Sequence, residues 1–141
     1  MDICSGQIKY VIAIAEISNK CKNVRCVDIS KYLGVTRPSV TKMLKCLANS
    51  NLIDECFSYG VKLTEYGKEV ANVLHKQYRY MYVFFLNMLK LPEDKAKSQA
   101  LEFISTFPTE TSEKFCFIIK NTIKNKKKAN ANKVTSTVAT N

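Results

Sequence analysis

Residues 36–45, Thr36-Arg37-Pro38-Ser39-Val40-Thr41-Lys42-Met43-Leu44-Lys45, mix apolar side chains with short hydroxyls and long cations. At helical spacing Val40, Met43, Leu44 and Leu47 gather on one face. Pro38, Lys42, Lys45 and Asn49 fall on the opposite face, flanked by Ser39 and Thr41. Arg37 and Lys42 are long enough to reach a phosphate or a guanine edge. Ser39 and Thr41 suit phosphate or base edges, and Pro38 offers an apolar edge to a thymine methyl group. Arg25, Lys45, Ser58, Tyr59 and Lys62 are types that hold a nucleic-acid backbone. Thr36, at the start of the same segment, completes the set of candidate contacts. The competing reading of each lysine is a solvated surface charge.

The elements that must carry these groups can be read from periodicity. Ile8, Val11, Ile12 and Ala15, with Tyr10, Ile14 and Ile17 as a second stripe, predict a helix over 8–19. A helix apolar on two sides is buried between modules. After the polar loop 19–23, a short helix spans 27–33 and Gly34-Val35 makes a turn. Thr36 then caps a third helix, with Pro38 in its first turn. Two short helices joined by a tight glycine turn, the second with a basic outer face, form a helix-turn-helix pattern. Asp54–Phe57, the turn Ser58-Tyr59-Gly60, and Val61–Thr64 read as a β-hairpin wing.

From Glu65 to about Lys90 no proline intervenes, which predicts one helix of roughly 39 Å at 1.5 Å per residue. Pro92 opens the next helix, with Ala96, Ala100, Phe103, Ile104 and Phe107 on its apolar face. Pro108 ends it, and Thr109 caps a last helix carrying Phe115, Ile118, Ile119 and Ile123. Residues 124–141, rich in lysine, asparagine and threonine, read as a disordered basic tail. The expected fold is mainly α with a small β-hairpin. A winged helix-turn-helix domain covers 1–66, a long linking helix with a helical dimerisation domain covers 67–123, and the tail follows.

Charge follows the same division. Residues 1–90 carry 13 basic against 7 acidic side chains, residues 91–113 carry 2 against 5, and residues 114–141 carry 7 basic and no acidic ones. A basic head suits a polyanion partner. The six cysteines form no C-x-x-C pair and only one histidine, His75, is present, so a zinc finger or iron–sulfur scaffold is not supported. Neither a membrane span nor a signal peptide is evident, and a cytoplasmic location with reduced thiols is expected. No nucleophile–base pair or phosphate loop is found, and an enzyme is not expected.

The run from Val24 to Leu44, containing Pro38-Ser39-Val40-Thr41-Lys42-Met43-Leu44, and the run Tyr59-Gly60-Val61-Lys62-Leu63-Thr64-Glu65-Tyr66-Gly67 resemble the diphtheria toxin repressor and manganese transport regulator family of metal-dependent repressors. The segment Lys9–Ile17 resembles the family's first helix. The likeness is strong over 8–75 and continues as helix order over 76–120. It implies the two-domain manganese-regulator layout, a homodimer joined through residues 91–120, and double-stranded DNA with a two-fold symmetric operator as partner.

The resemblance also implies Mn(II) or Fe(II) held between the first helix, the long helix and the dimerisation helix. The implied ligand positions fall on Lys9, Ile12 and Tyr78 (or Arg79 after a one-residue slip). On the dimerisation helix they fall on Leu101, Ile104 and Ser105, or after a slip on Glu102 and Phe103. Only Glu102 is a carboxylate, so the usual site is read as lost and no cofactor is expected; Mn(II) or Fe(II) applies only if the family's dependence is retained. Two further readings stay open. His75, Cys4 and Glu102 could make a substitute site, or Lys9 could pair with Glu102 or Glu16 and supply the metal's charge. The simplest expectation leaves Lys9 in solvent. Two functional alternatives remain beside DNA binding by an effector-free dimer. One is a winged-helix regulator binding a small apolar effector among Tyr78, Tyr80, Tyr82, Phe84 and Phe85. The other is a partner-binding module that no longer touches DNA.

Overall fold

The computed structural model describes residues 3–139. Helix α1, Ser5–Ser18, is apolar on both sides, as its two stripes require, and it packs against α2 (Cys26–Leu33), α3 (Arg37–Asn49), α4 (Glu65–Val83) and α5 (Glu93–Thr106). Val11, Ile12, Ala13 and Ile14 are fully buried there. Its one buried polar side chain, Gln7, is satisfied at both ends. Gln7 Oε1 accepts from the Cys4 amide at 3.1 Å, and Gln7 Nε2 donates to Ser50 Oγ at 2.9 Å. A buried amide without those partners would be costly.

Helix α2 ends at Gly34, whose φ of 67° lies in the left-handed region that favours glycine. The Val35 amide donates to Ser30 O, and Ser30 Oγ donates to Val35 O, closing the turn. Thr36 caps α3 by accepting from the Ser39 amide at 3.3 Å. Val40, Leu44 and Leu47 are buried on the inner face, and Met43 is half-buried.

The expected wing forms only in outline. Among the described residues its pairing is limited to two isolated antiparallel bridges, Ile53 with Leu63 and Val24 with Val61. The Asp54 amide donates to Lys62 O at 3.0 Å, and the Val61 amide to Val24 O at 2.8 Å. The expected strand 54–57 is absent. Asp54, Glu55 and Cys56 are exposed and offer no apolar alternation to hold a ladder, whereas Leu52, Ile53 and Val61 are buried and fix the pairing one residue earlier.

Thr64 caps α4, accepting from the Gly67 amide at 2.9 Å. The expected single helix to Lys90 is interrupted: Phe84–Met88 form a π turn, and Lys90, at φ 58°, ends the segment. The wider turn leaves the Phe85 ring edge-on to Phe103, 6.4 Å between centroids. Pro92 precedes α5 as its cap, and Ala96, Ala100 and Ile104 let α5 approach α1 and α4 closely.

Helix α6, Thr109–Ala139, buries Ser112, Cys116 and Ile119, and packs on α4 and α5. Of its expected apolar face, Ile119 is buried and Ile123 half-buried, while Phe115 and Ile118 are exposed. The helix runs on through most of the segment expected to be a disordered tail, because after Pro108 no proline or glycine stops the backbone ladder. Residues 140 and 141 of that tail lie outside the described residues. One apolar cluster joins Ile8 of α1 to Ile119 of α6. Among the described residues no helix is long and apolar enough to cross a membrane.

Candidate nucleic-acid interface

The apolar stripe of α3 faces inward, so its polar side chains must face solvent. Arg37, Pro38, Ser39, Thr41, Lys42 and Lys45 are all exposed, as are Arg25, Thr36, Ser58, Tyr59 and Lys62. Arg25, Arg37, Thr41, Ser58 and Tyr59 converge on one open cleft of 620 Å³ between the start of α2, α3 and the loop 57–60. Pro38, Ser39, Lys42 and Lys45 lie outside that cleft on α3, and Lys62 lines a different one, with Lys22 and Lys68. Among the described residues none of Arg25, Arg37, Lys42, Lys45 and Lys62 forms an ion pair. Their charge is therefore not neutralised within the described chain.

Three of the hydroxyls are already engaged. Thr36 Oγ1 holds the helix cap and lies 2.8 Å from Ser39 Oγ, and Thr41 Oγ1 donates to Arg37 O at 3.1 Å. Sequence reasoning missed the two further polar side chains of the cleft, Asn23 and Cys26. Asn23 Nδ2 donates to Tyr59 O at 3.1 Å and fastens the loop tip, and the Cys26 thiol lies 3.7 Å from both Arg37 O and Thr41 Oγ1. Neither has a local sequence signal, since each acts across a tertiary contact.

The positions singled out as ligands lie elsewhere, between α1, α4 and α5. Lys9, Tyr78 and Glu102 line a common groove of 430 Å³ with Tyr10, Tyr32 and Lys97, while Ile12 is fully buried in the core. Lys9 Nζ donates to Glu102 Oε2 at 2.5 Å, so Lys9 is paired rather than free in solvent. That hydrogen bond and charge hold the Glu102 carboxyl below its usual range. Both ends are solvated, and such a pair contributes at most about 1 kcal/mol. Burial, with Tyr32 beside it, pushes the Tyr78 phenol well above the usual tyrosine range. The substitute set is not assembled: His75 binds Glu16, Cys4 Sγ donates to Gln7 Oε1, and neither lines the groove with Glu102.

Over 84 residues the chain is 34% identical to the transcriptional regulator MntR of Escherichia coli O6:H1, a match that covers 60% of this chain and 54% of that protein. MntR of Salmonella typhimurium is 33% identical over the same length. Over those residues the chain is similar to the MntR regulators, in line with the resemblance of its motifs to the metal-dependent repressors of the diphtheria toxin repressor and manganese transport regulator family. Among solved structures, the manganese regulator SloR superposes with a TM-score of 0.67 at 24% identity, covering 81% of this chain and 53% of that one. A manganese-dependent transcriptional repressor in complex with manganese gives 0.68 at 17% identity, covering 81% and 52%. No family model matches the chain. It spans about half the length of the curated relatives it matches.

Against the metal that this repressor family implies, the donor set does not fit. An ammonium and an alkyl group offer no lone pair, Tyr78 is buried, and Glu102 is already bound by Lys9. Hard and borderline divalent ions need about six oxygen or nitrogen donors. Among the described residues no three His, Cys, Asp or Glu side chains are grouped to hold an ion.

Proposed function

We propose that the chain is a sequence-specific duplex-DNA-binding transcriptional regulator, most simply a repressor, acting as a homodimer on a two-fold symmetric operator. Residues 1–66 serve as a winged helix-turn-helix, with α3 entering the major groove and the loop 57–60 acting as the wing tip. Residues 67–123 link and dimerise two such heads. The observation that carries this reading is the row of exposed cations on α3, Arg37, Lys42 and Lys45, which no carboxylate of the described chain neutralises. Arg37 and Lys42 are assigned to bases or adjacent phosphates, Pro38, Ser39 and Thr41 to base edges, and Thr36, Arg25, Lys45, Ser58, Tyr59 and Lys62 to the backbone.

Small-effector binding by the aromatic group has less support. Tyr78 is buried, and Tyr80, Tyr82, Phe84 and Phe85 are partly buried against the same apolar cluster, as core residues are. Selection from a randomised duplex pool, followed by binding at two salt concentrations, tests the main reading. An enriched two-fold symmetric sequence bound more tightly than random duplex supports it. Equal affinity for all sequences, or none, overturns it.

A further inference from the structure

We infer that this chain holds α1, α4 and α5 in one fixed arrangement without a divalent ion, the ion's place being taken by the Lys9–Glu102 pair together with the packed side chains of Ile12 and Tyr78. Its regulatory meaning rests on the DNA-binding reading, but its chemistry does not.

Lys9 and Ile12 stand about one turn apart on α1, Tyr78 on α4 and Glu102 on α5, so these four positions span the three helices that an ion would have to draw together. Each carries a different replacement for a metal bond. The Lys9 ammonium presents positive charge to the Glu102 carboxylate. A cation thus still faces the retained acidic group, but one that is covalently part of α1. Ile12 and Tyr78 belong to a single apolar cluster with Ala100 and Ile104 of α5, and α1 packs directly on both α4 and α5. Apolar burial of this kind is always present, whereas a coordination bond comes and goes with the ion. The same lysine opposes ion entry, since a dication would have to approach a fixed ammonium to share one carboxylate. His75 offers no relief, because its Nε2 is taken by Glu16.

The test uses the full chain. Thermal unfolding is followed in chelator and in added Mn(II), and then Fe(II), without DNA. Binding to the selected duplex is measured under the same conditions. The expected result is an unchanged Tm, since an ion that does not bind cannot stabilise, and DNA affinities that agree within about twofold. A Tm that rises with manganese and falls back with chelator overturns the inference. So does a tenfold gain in DNA affinity on adding manganese.

Two variants probe the pair itself. Lys9→Glu sets two carboxylates against each other and should weaken DNA binding several-fold in chelator, and the swap Lys9→Glu/Glu102→Lys should recover it. If Lys9→Glu binds as wild type, the pair has no part in the arrangement. If no condition gives DNA binding, the DNA-binding reading fails while the unfolding measurement still decides whether an ion binds.

Discussion

His75 on α4 hydrogen-bonds through Nε2 to Glu16 Oε1 on α1, a cross-helix contact between two largely buried side chains 59 residues apart. The contact ties the first helix to the long helix beside Tyr78, whose ring lies 6.2 Å from that of His75. It also explains the lone histidine of the sequence without a metal. Removing the imidazole leaves Glu16 partly buried with no partner for its carboxylate. His75→Ala should therefore lower stability by about 1–3 kcal/mol. Urea unfolding checks this, and an unmoved midpoint would contradict it.

The cations proposed to face DNA can be separated from the fold. Arg37 and Lys42 are exposed and make no ion pair among the described residues, so truncating them should leave unfolding unchanged. Arg37→Ala or Lys42→Ala should cost about 1–3 kcal/mol of operator affinity if the side chain reads a base, and relax preference at that position. Lys45→Ala should instead weaken all duplexes alike and reduce the salt slope by about one. Fluorescence anisotropy across a salt series distinguishes the two patterns. Unchanged affinity in the Arg37/Lys42 double variant would remove α3 from the interface.

What was legible in the sequence was local. Thr36, Pro38 and the stripe Val40–Leu44–Leu47 fix α3 from within a dozen residues, because a cap, a first-turn proline and a 3.6-residue period need no distant partner. The two-sided apolar pattern of α1 likewise announced a helix buried among others. The rest depends on tertiary partners. Gln7 is tolerated in the core only because Ser50 meets it. The pairing of the wing is not readable locally, because it uses Val24, which precedes α2, and starts at Ile53, one residue before the expected strand. The π turn at Phe84–Met88 leaves the hydrophobic period nearly intact, so composition gave no warning. Lys9–Glu102 joins helices 93 residues apart and could be raised only as one of several pairings.

Two glycines near the wing should differ in what they tolerate. A Cβ on Gly67 would lie 2.0 Å from Leu52 O, a backbone atom held where the Thr64 amide donates to it. One on Gly60 would lie 2.1 Å from Asn23 Oδ1, the end of a side chain that can rotate. Gly67→Ala should thus force the start of α4 away from residue 52 and destabilise by about 1–3 kcal/mol or more. Gly60→Ala should cost about 0.5–1.5 kcal/mol, the worth of the Asn23–Tyr59 hydrogen bond. Thermal unfolding of both variants checks the order, and equal losses would show that residue 52 yields as readily as a side chain.

The last prediction concerns assembly. In a single copy Phe117 is 66% and Ile118 59% exposed on α6, the helix from which Phe115 meets Phe103 edge-on at 5.3 Å; Phe103 in turn stacks on Phe107 at 4.4 Å. Phe107 and Phe115 are themselves exposed on their outer sides. Several large apolar side chains left exposed in one segment point to a contact surface, and these fall within the segment 91–120 proposed for dimerisation. Because Phe117 and Ile118 contribute little to the core of one copy, Phe117→Lys/Ile118→Lys should leave the helical content intact while placing like charges across a two-fold contact. Light scattering should then report a dimer for the unaltered chain and a monomer for the variant. Affinity for a duplex with both half-sites should fall by about 10²–10⁴, the loss expected when two linked heads become independent. Binding to a single half-site should persist, which separates lost assembly from lost folding. A variant that remains dimeric would move the interface off this face of α6, and a monomeric, fully active wild-type chain would remove the dimer altogether.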